Sequence, residues 1–112
     1  MSYNNNWVKG MARKGYRAEY LAKQKLIERY GKENVLKLAI GMSSDFLILR
    51  PGSGKIEKIV EVKSTVKEKW YPKPRDKAQL ERLKALAKEH DIPLELWIKL
   101  PRKDFKVERV YK

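Results

Sequence analysis

The apolar positions of this chain switch between a helical and a strand period, and the switches divide it into elements. From about Met11 to Tyr30 no proline interrupts a helical pattern. At roughly 100° per residue, Ala12, Glu19, Leu26 and Tyr30 fall on one line, with Ala22 beside it. Gly31 is the expected stop. Val35 to Ile40 reads as a short strand and Gly41 to Ser44 as a turn. Asp45 to Arg50 is mostly apolar, as in a strand buried on both faces. Pro51-Gly52-Ser53-Gly54-Lys55 is a turn signal, and Ile56 to Lys63 returns as the second arm of a hairpin. Asp76 fits a helix N-cap, with Gln79 completing a capping-box pattern. Leu80, Leu83 and Ala87 carry that helix to about His90, a residue suited to a helix C-terminus. From Pro93 a strand alternates Leu94, Leu96, Ile98 and Leu100 against Glu95, Trp97 and Lys99. Phe105 to Tyr111 is the last strand. The pattern predicts one α/β domain over residues 1–112, in the order α-β-β-β-α-β-β. Residues 1–10 form a polar extension, expected to be loose.

Two positions break the pattern. Glu19 is an acid on an apolar stripe, where a carboxylate needs a partner or a metal. It either pairs with Lys23 at i+4 or faces a cation. Glu61 and Lys63 stand inside the β-branched run Ile59-Val60-Glu61-Val62-Lys63 and, being two apart, share a face. A hairpin centred on Ser53 sets Leu49 opposite Glu57, Leu47 opposite Ile59 and Asp45 opposite Glu61. In that register Asp45, Glu61 and Lys63 cluster at one end of the hairpin. A one-residue slip would separate them. Two facing carboxylates repel unless a cation or proton lies between them.

Charge and composition narrow the chemistry. The chain has 27 Lys and Arg against 14 Asp and Glu, a net charge of +13, which favours a polyanionic partner such as nucleic acid. No apolar run approaches the roughly 20 residues that span a bilayer. With no secretory signal pattern, a cytoplasmic location is expected. There is no cysteine and a single histidine, so any metal must be held by oxygen ligands, which suits Mg²⁺ or Mn²⁺. Lys67 to Arg75 is basic, with Trp70, Tyr71 and two prolines. It reads either as a loop that clamps phosphates and stacks on bases or as a connector whose Trp70 packs on the core. The residues alone leave a metal nuclease and a plain basic binding domain both open.

The sequence resembles archaeal Holliday junction resolvases of the PD-(D/E)xK nuclease superfamily. The resemblance begins at Arg13-Lys14-Gly15-Tyr16-Arg17-Ala18-Glu19 and runs through Ser44-Asp45 and Val60-Glu61-Val62-Lys63-Ser64. It then takes in Tyr71, Arg75-Asp76 and Gln79-Leu80, and ends at Leu100-Pro101, covering nearly the whole chain. It implies a restriction-endonuclease-like core, with a mixed sheet flanked by helices, and a homodimer. It also implies Mg²⁺-dependent paired nicks across a four-way DNA junction, with Mn²⁺ as a substitute metal. Asp45 and Glu61, with the Val62 carbonyl, would hold the metal. Lys63 would orient the water, and Glu19 would complete the acidic site. Ser44 and Gln79 would support it. Arg13, Lys14, Arg17, Tyr71, Lys73 and Arg75 would face DNA. Ser44 stands where the superfamily motif has proline, and the segment before Arg13 is longer than the family's. Related readings are a nuclease for flaps, ends or duplex DNA, and a DNA-binding module without catalysis.

Overall fold

The computed structural model describes residues 15–38 and 45–112. The expectations for the extension 1–10, for Met11 to Lys14 and for 39–44, including Arg13, Lys14 and Ser44, lie outside the described residues. Helix α1 (Gly15–Tyr30) leads through a short 3-10 turn (Lys32–Asn34) into β1 (Val35–Leu38), β2 (Asp45–Leu49) and β3 (Ile56–Ser64). Helix α2 (Pro74–His90), β4 (Leu94–Lys99) and β5 (Phe105–Tyr111) follow. The five strands form one sheet in the order β1-β2-β3-β4-β5. All neighbours are antiparallel except β3 and β4. A parallel pair needs a long crossover, and α2 supplies it. The fold is thus α/β, with a mixed sheet and a helix on each face. No helix among the described residues is long and apolar enough to cross a membrane.

Each helix covers one parity of the strands. Ala18, Ala22 and Leu26 of α1 pack on Val35, Phe46, Ile48, Val60 and Val62. Leu83 and Ala87 of α2 pack on Ile59 and Leu94. Successive β3 residues point to opposite faces, so Val60 and Val62 lie under α1 while Ile59, Glu61 and Lys63 turn toward the α2 side. The small residues Ala18 and Ala22 let α1 approach the sheet closely. The helix ends where Gly31 adopts φ 93°, a conformation that L side chains rarely take. Its N–H still reaches Ile27 O at 2.8 Å, and the Asn34 amide donates to Tyr30 O at 2.7 Å.

Three expectations need correction. Leu49 pairs with Ile56 rather than Glu57, because a bulge interrupts the register between Ile48 and Leu49. The Arg50–Lys55 turn is closed by Arg50 N–H to Lys55 O at 2.7 Å and by the Ser53 hydroxyl donating to Arg50 O. The extra residue is absorbed at the turn end, so the pairs farther along are unaffected. Asp76 is not the N-cap of α2. Pro74 begins the helix, since its fixed φ and missing N–H suit the first turn. Asp76 therefore lies at the third helical position, where its Oδ2 accepts the Lys73 N–H at 2.9 Å. Gln79 consequently is not part of a capping box.

Glu95 and Lys58 form a buried ion pair under α1. Lys58 Nζ lies 2.8 Å from Glu95 Oε1, and the two side chains are 10% and 9% exposed. Trp97 Nε1 donates to the same oxygen at 3.1 Å, and Arg109 donates to Oε2 at 3.4 Å. The Lys58 ammonium also sits 5.3 Å from the Tyr30 ring centre. Burial pushes the Glu95 carboxyl up. The Lys58 and Trp97 hydrogen bonds and the Lys58 and Arg109 charges outweigh it, and leave the group below its usual range.

Candidate functional site

Asp45 pairs directly with Glu61 across the β2–β3 ladder, and Leu47 with Ile59. Opposed residues share a face, with Cβ atoms about 4.5–5.5 Å apart. The two acids therefore face each other at the end of β2, and both are buried, Asp45 at 1% exposure and Glu61 at 0%. Asp45 Oδ1 accepts no hydrogen bond among the described residues. An ionised oxygen in such a place is costly without a donor or cation.

Lys63, two residues beyond Glu61 on the same face, brings positive charge to the pair. Its Nζ lies 3.7 Å from Glu61 Oε1. It donates to Gln79 Oε1 at 2.9 Å and lies 3.3 Å from Asp76 Oδ1. Gln79 and Asp76 are three apart on α2 and so present neighbouring side chains. Gln79 thus supports Lys63. Asp76, expected only as a helix N-cap, does so too; the i, i+3 spacing of two polar groups at the start of α2 was its signal. One oxygen of Asp76 fixes the helix start while the other meets Lys63. Burial raises the Asp76 carboxyl, but the Lys73 N–H and the Lys63 ammonium outweigh that and hold it below the usual carboxylate range.

Glu19 is not brought into this pair. It rides on α1, which covers the other face of the sheet. Its carboxylate is ion-paired with Lys37 of β1 rather than with Lys23. Glu19, Tyr20, Lys23, Lys37 and Phe46 border a cavity of about 220 Å³. Lys37 links the two regions electrostatically. Burial pushes its amine down, and the nearby charges of Asp45 and Glu61 act against that without cancelling it. Among the described residues no three Asp, Glu or His side chains gather in a group able to hold a metal. The Val62 side chain is buried under α1, and the residue stands opposite Trp97 of β4.

A cleft of about 880 Å³ opens beside Lys63, between the start of α1, the loop 65–73 and the start of α2. Four of the expected DNA-facing residues, Arg17, Tyr71, Lys73 and Arg75, line it. Lys67 and Lys99 add positive charge, and Trp70 stands half-buried in the wall. Trp70 is half-buried and lines the cleft, while Tyr71 is 64% exposed. Lys63 and Asp76 reach the cleft; Asp45 and Glu61 do not line it. The acid pair meets the cleft through Lys63.

Chemically, Asp45 and Glu61 offer hard oxygen donors of the type Mg²⁺ takes, and Asp45 Oδ1 is a buried acceptor without a hydrogen bond among the described residues. One or two carboxylates suffice for Mg²⁺ when waters and a phosphate complete its shell. The donor set thus fits such an ion, with two protein carboxylates rather than three. Comparison with protein-family models, curated proteins and solved structures returns no match.

Proposed function

We propose that the chain is a Mg²⁺-dependent DNA endonuclease with a restriction-endonuclease-like core, structure-selective and acting on four-way junctions as a homodimer. The observation that carries this reading is the in-register facing of Asp45 and Glu61, with Lys63 beside them on one face. Bound Mg²⁺ would neutralise charge on a phosphoryl oxygen and activate a water. Asp45 and Glu61 would hold it. Lys63, steadied by Gln79 and Asp76, would sit at the cleft wall to orient the water and stabilise charge on the scissile phosphate. Arg17, Lys67, Lys73 and Arg75 would position the backbone. The resemblance to junction resolvases supports the substrate and the dimer, because a two-fold dimer offers two sites to two strands.

A second reading, a basic DNA-binding module without catalysis, is favoured by one observation: the acid pair is buried and does not line the cleft. Cleavage assays separate the two. Asp45→Asn, Glu61→Gln and Lys63→Ala should each abolish nicking while DNA binding persists. Unchanged nicking by either acid variant would sink the metal assignment.

A further inference from the structure

The loop that joins β3 to α2 leaves two large apolar side chains in water. Val66 is 86% exposed and Tyr71 is 64% exposed, and both line the basic cleft beside Lys67 and Lys73. The position of Val66 is fixed by the backbone. The Thr65 N–H donates to Lys99 O at 3.2 Å, which anchors the loop to the end of β4. The Lys67 N–H then donates to Thr65 Oγ1 at 3.1 Å. That hydrogen bond is a side-chain-closed turn with Val66 at its apex. Among the described residues Val66 is left almost fully exposed, and the turn holds it outward.

The surroundings select the occupant. A second copy seated on this patch would set Lys67 and Lys73 against the same lysines, whereas a polyanion is attracted. On DNA, an apolar side chain has no phosphate to bind. It acts by entering a base step whose stacking is interrupted, and an aromatic ring beside it offers a face on which a base can stack. Linear duplex has no open step. The branch point of a junction does.

We propose that Val66 and Tyr71 form a wedge that enters the unstacked step at a DNA branch point and thereby sets the preference for branched over linear DNA. The inference rests on the nuclease reading and names the feature that would give it structure selectivity. The test uses the full chain, Val66→Ser, Tyr71→Ala and the double variant. The probes are a four-way junction with 2-aminopurine beside the branch point and a linear duplex of matched sequence, both in EDTA. Wild type should raise the fluorescence and bind the junction more tightly than the duplex. Each variant should lose the fluorescence rise and about tenfold in junction affinity, the scale of one lost stacking contact. For Val66→Ser, duplex affinity and melting temperature should not change, and Tyr71→Ala should weaken duplex binding less than junction binding. An unchanged junction preference in both variants overturns the wedge, as does equal weakening on the two DNAs. A shift of Val66→Ser to a smaller oligomer with the fluorescence rise intact also overturns it, and marks Val66 as a contact between copies. Wild type that binds the junction but leaves it uncut in Mg²⁺ overturns the nuclease reading. Wild type that cuts it, beside variants that keep the preference, overturns the wedge alone.

Discussion

Removing one charge from the Asp45–Glu61 pair should stabilise the metal-free protein. Asp45→Asn keeps the shape and deletes the charge. The partners are directly opposed and both are buried. At about 5 Å and an effective dielectric near 20, two like charges repel by roughly 3 kcal/mol. Lys63, 3.7 Å from Glu61, offsets part of that, and the buried amide is imperfectly satisfied. A net gain of about 1–2 kcal/mol remains, or a rise of roughly 4–8 °C in melting temperature for a chain of this size. Divalent cation should do the opposite. Ligand at a hundredfold excess over its Kd stabilises by about 2.7 kcal/mol, so 10 mM Mg²⁺ should raise the melting temperature of wild type and leave Asp45→Asn where it was. Circular dichroism melts at pH 7.5, in EDTA and in Mg²⁺, read all four values. The reasoning fails if Asp45→Asn melts lower than wild type in EDTA, or if it keeps the full Mg²⁺ shift.

Further outcomes follow from three other parts of the structure. Asp76→Asn keeps an oxygen for the Lys73 N–H but removes the charge 3.3 Å from Lys63; it should slow single-turnover cleavage about tenfold, the usual scale for a group that orients a site residue, with junction Kd unchanged. Lys58→Met strands Glu95 without its buried partner and should cost about 3–5 kcal/mol in urea denaturation. Since the folded Glu95 carboxyl lies below its ordinary value, the pair's contribution is present above that ordinary value and lost as pH falls through the folded one. Glu95→Gln should therefore flatten the acid limb of stability against pH, and an unchanged limb would contradict the pairing. Arg17→Ala and Lys73→Ala should each reduce the slope of log K against log salt by about 0.9, one phosphate contact apiece.

The hairpin register was legible because a Pro-Gly-Ser-Gly turn fixes parity and the apolar run of β2 leaves little room to slip. The bulge at Ile48/Leu49 was not, since it follows from how the turn closes rather than from any residue's preference. The end of α1 at Gly31 was readable from a glycine after a helical stripe. Which face of the sheet α1 covers was not written in that stripe, and Glu19 consequently meets Lys37 rather than the acid pair. Asp76 was misplaced by three positions because Pro74 opens α2 earlier than a capping pattern suggests. The Lys58–Glu95 pair was invisible for a related reason. Two charges on separate strands look solvated until the parallel pairing of β3 and β4 sets them together beneath α1. Local chemistry thus indicated Asp45, Glu61 and Lys63, while the partners that steady or exclude site residues came from tertiary pairing.

Asp45, Glu61 and Lys63 are proposed to make a metal-dependent site that cuts branched DNA. That proposal is tested by incubating wild type with a labelled synthetic four-way junction, a flap and a linear duplex of matched sequence, in Mg²⁺ and in EDTA. Paired nicks in the junction alone, present in Mg²⁺ and absent in EDTA, are the predicted result. Cleavage that persists in EDTA, or no cleavage of any DNA in Mg²⁺, would contradict the account.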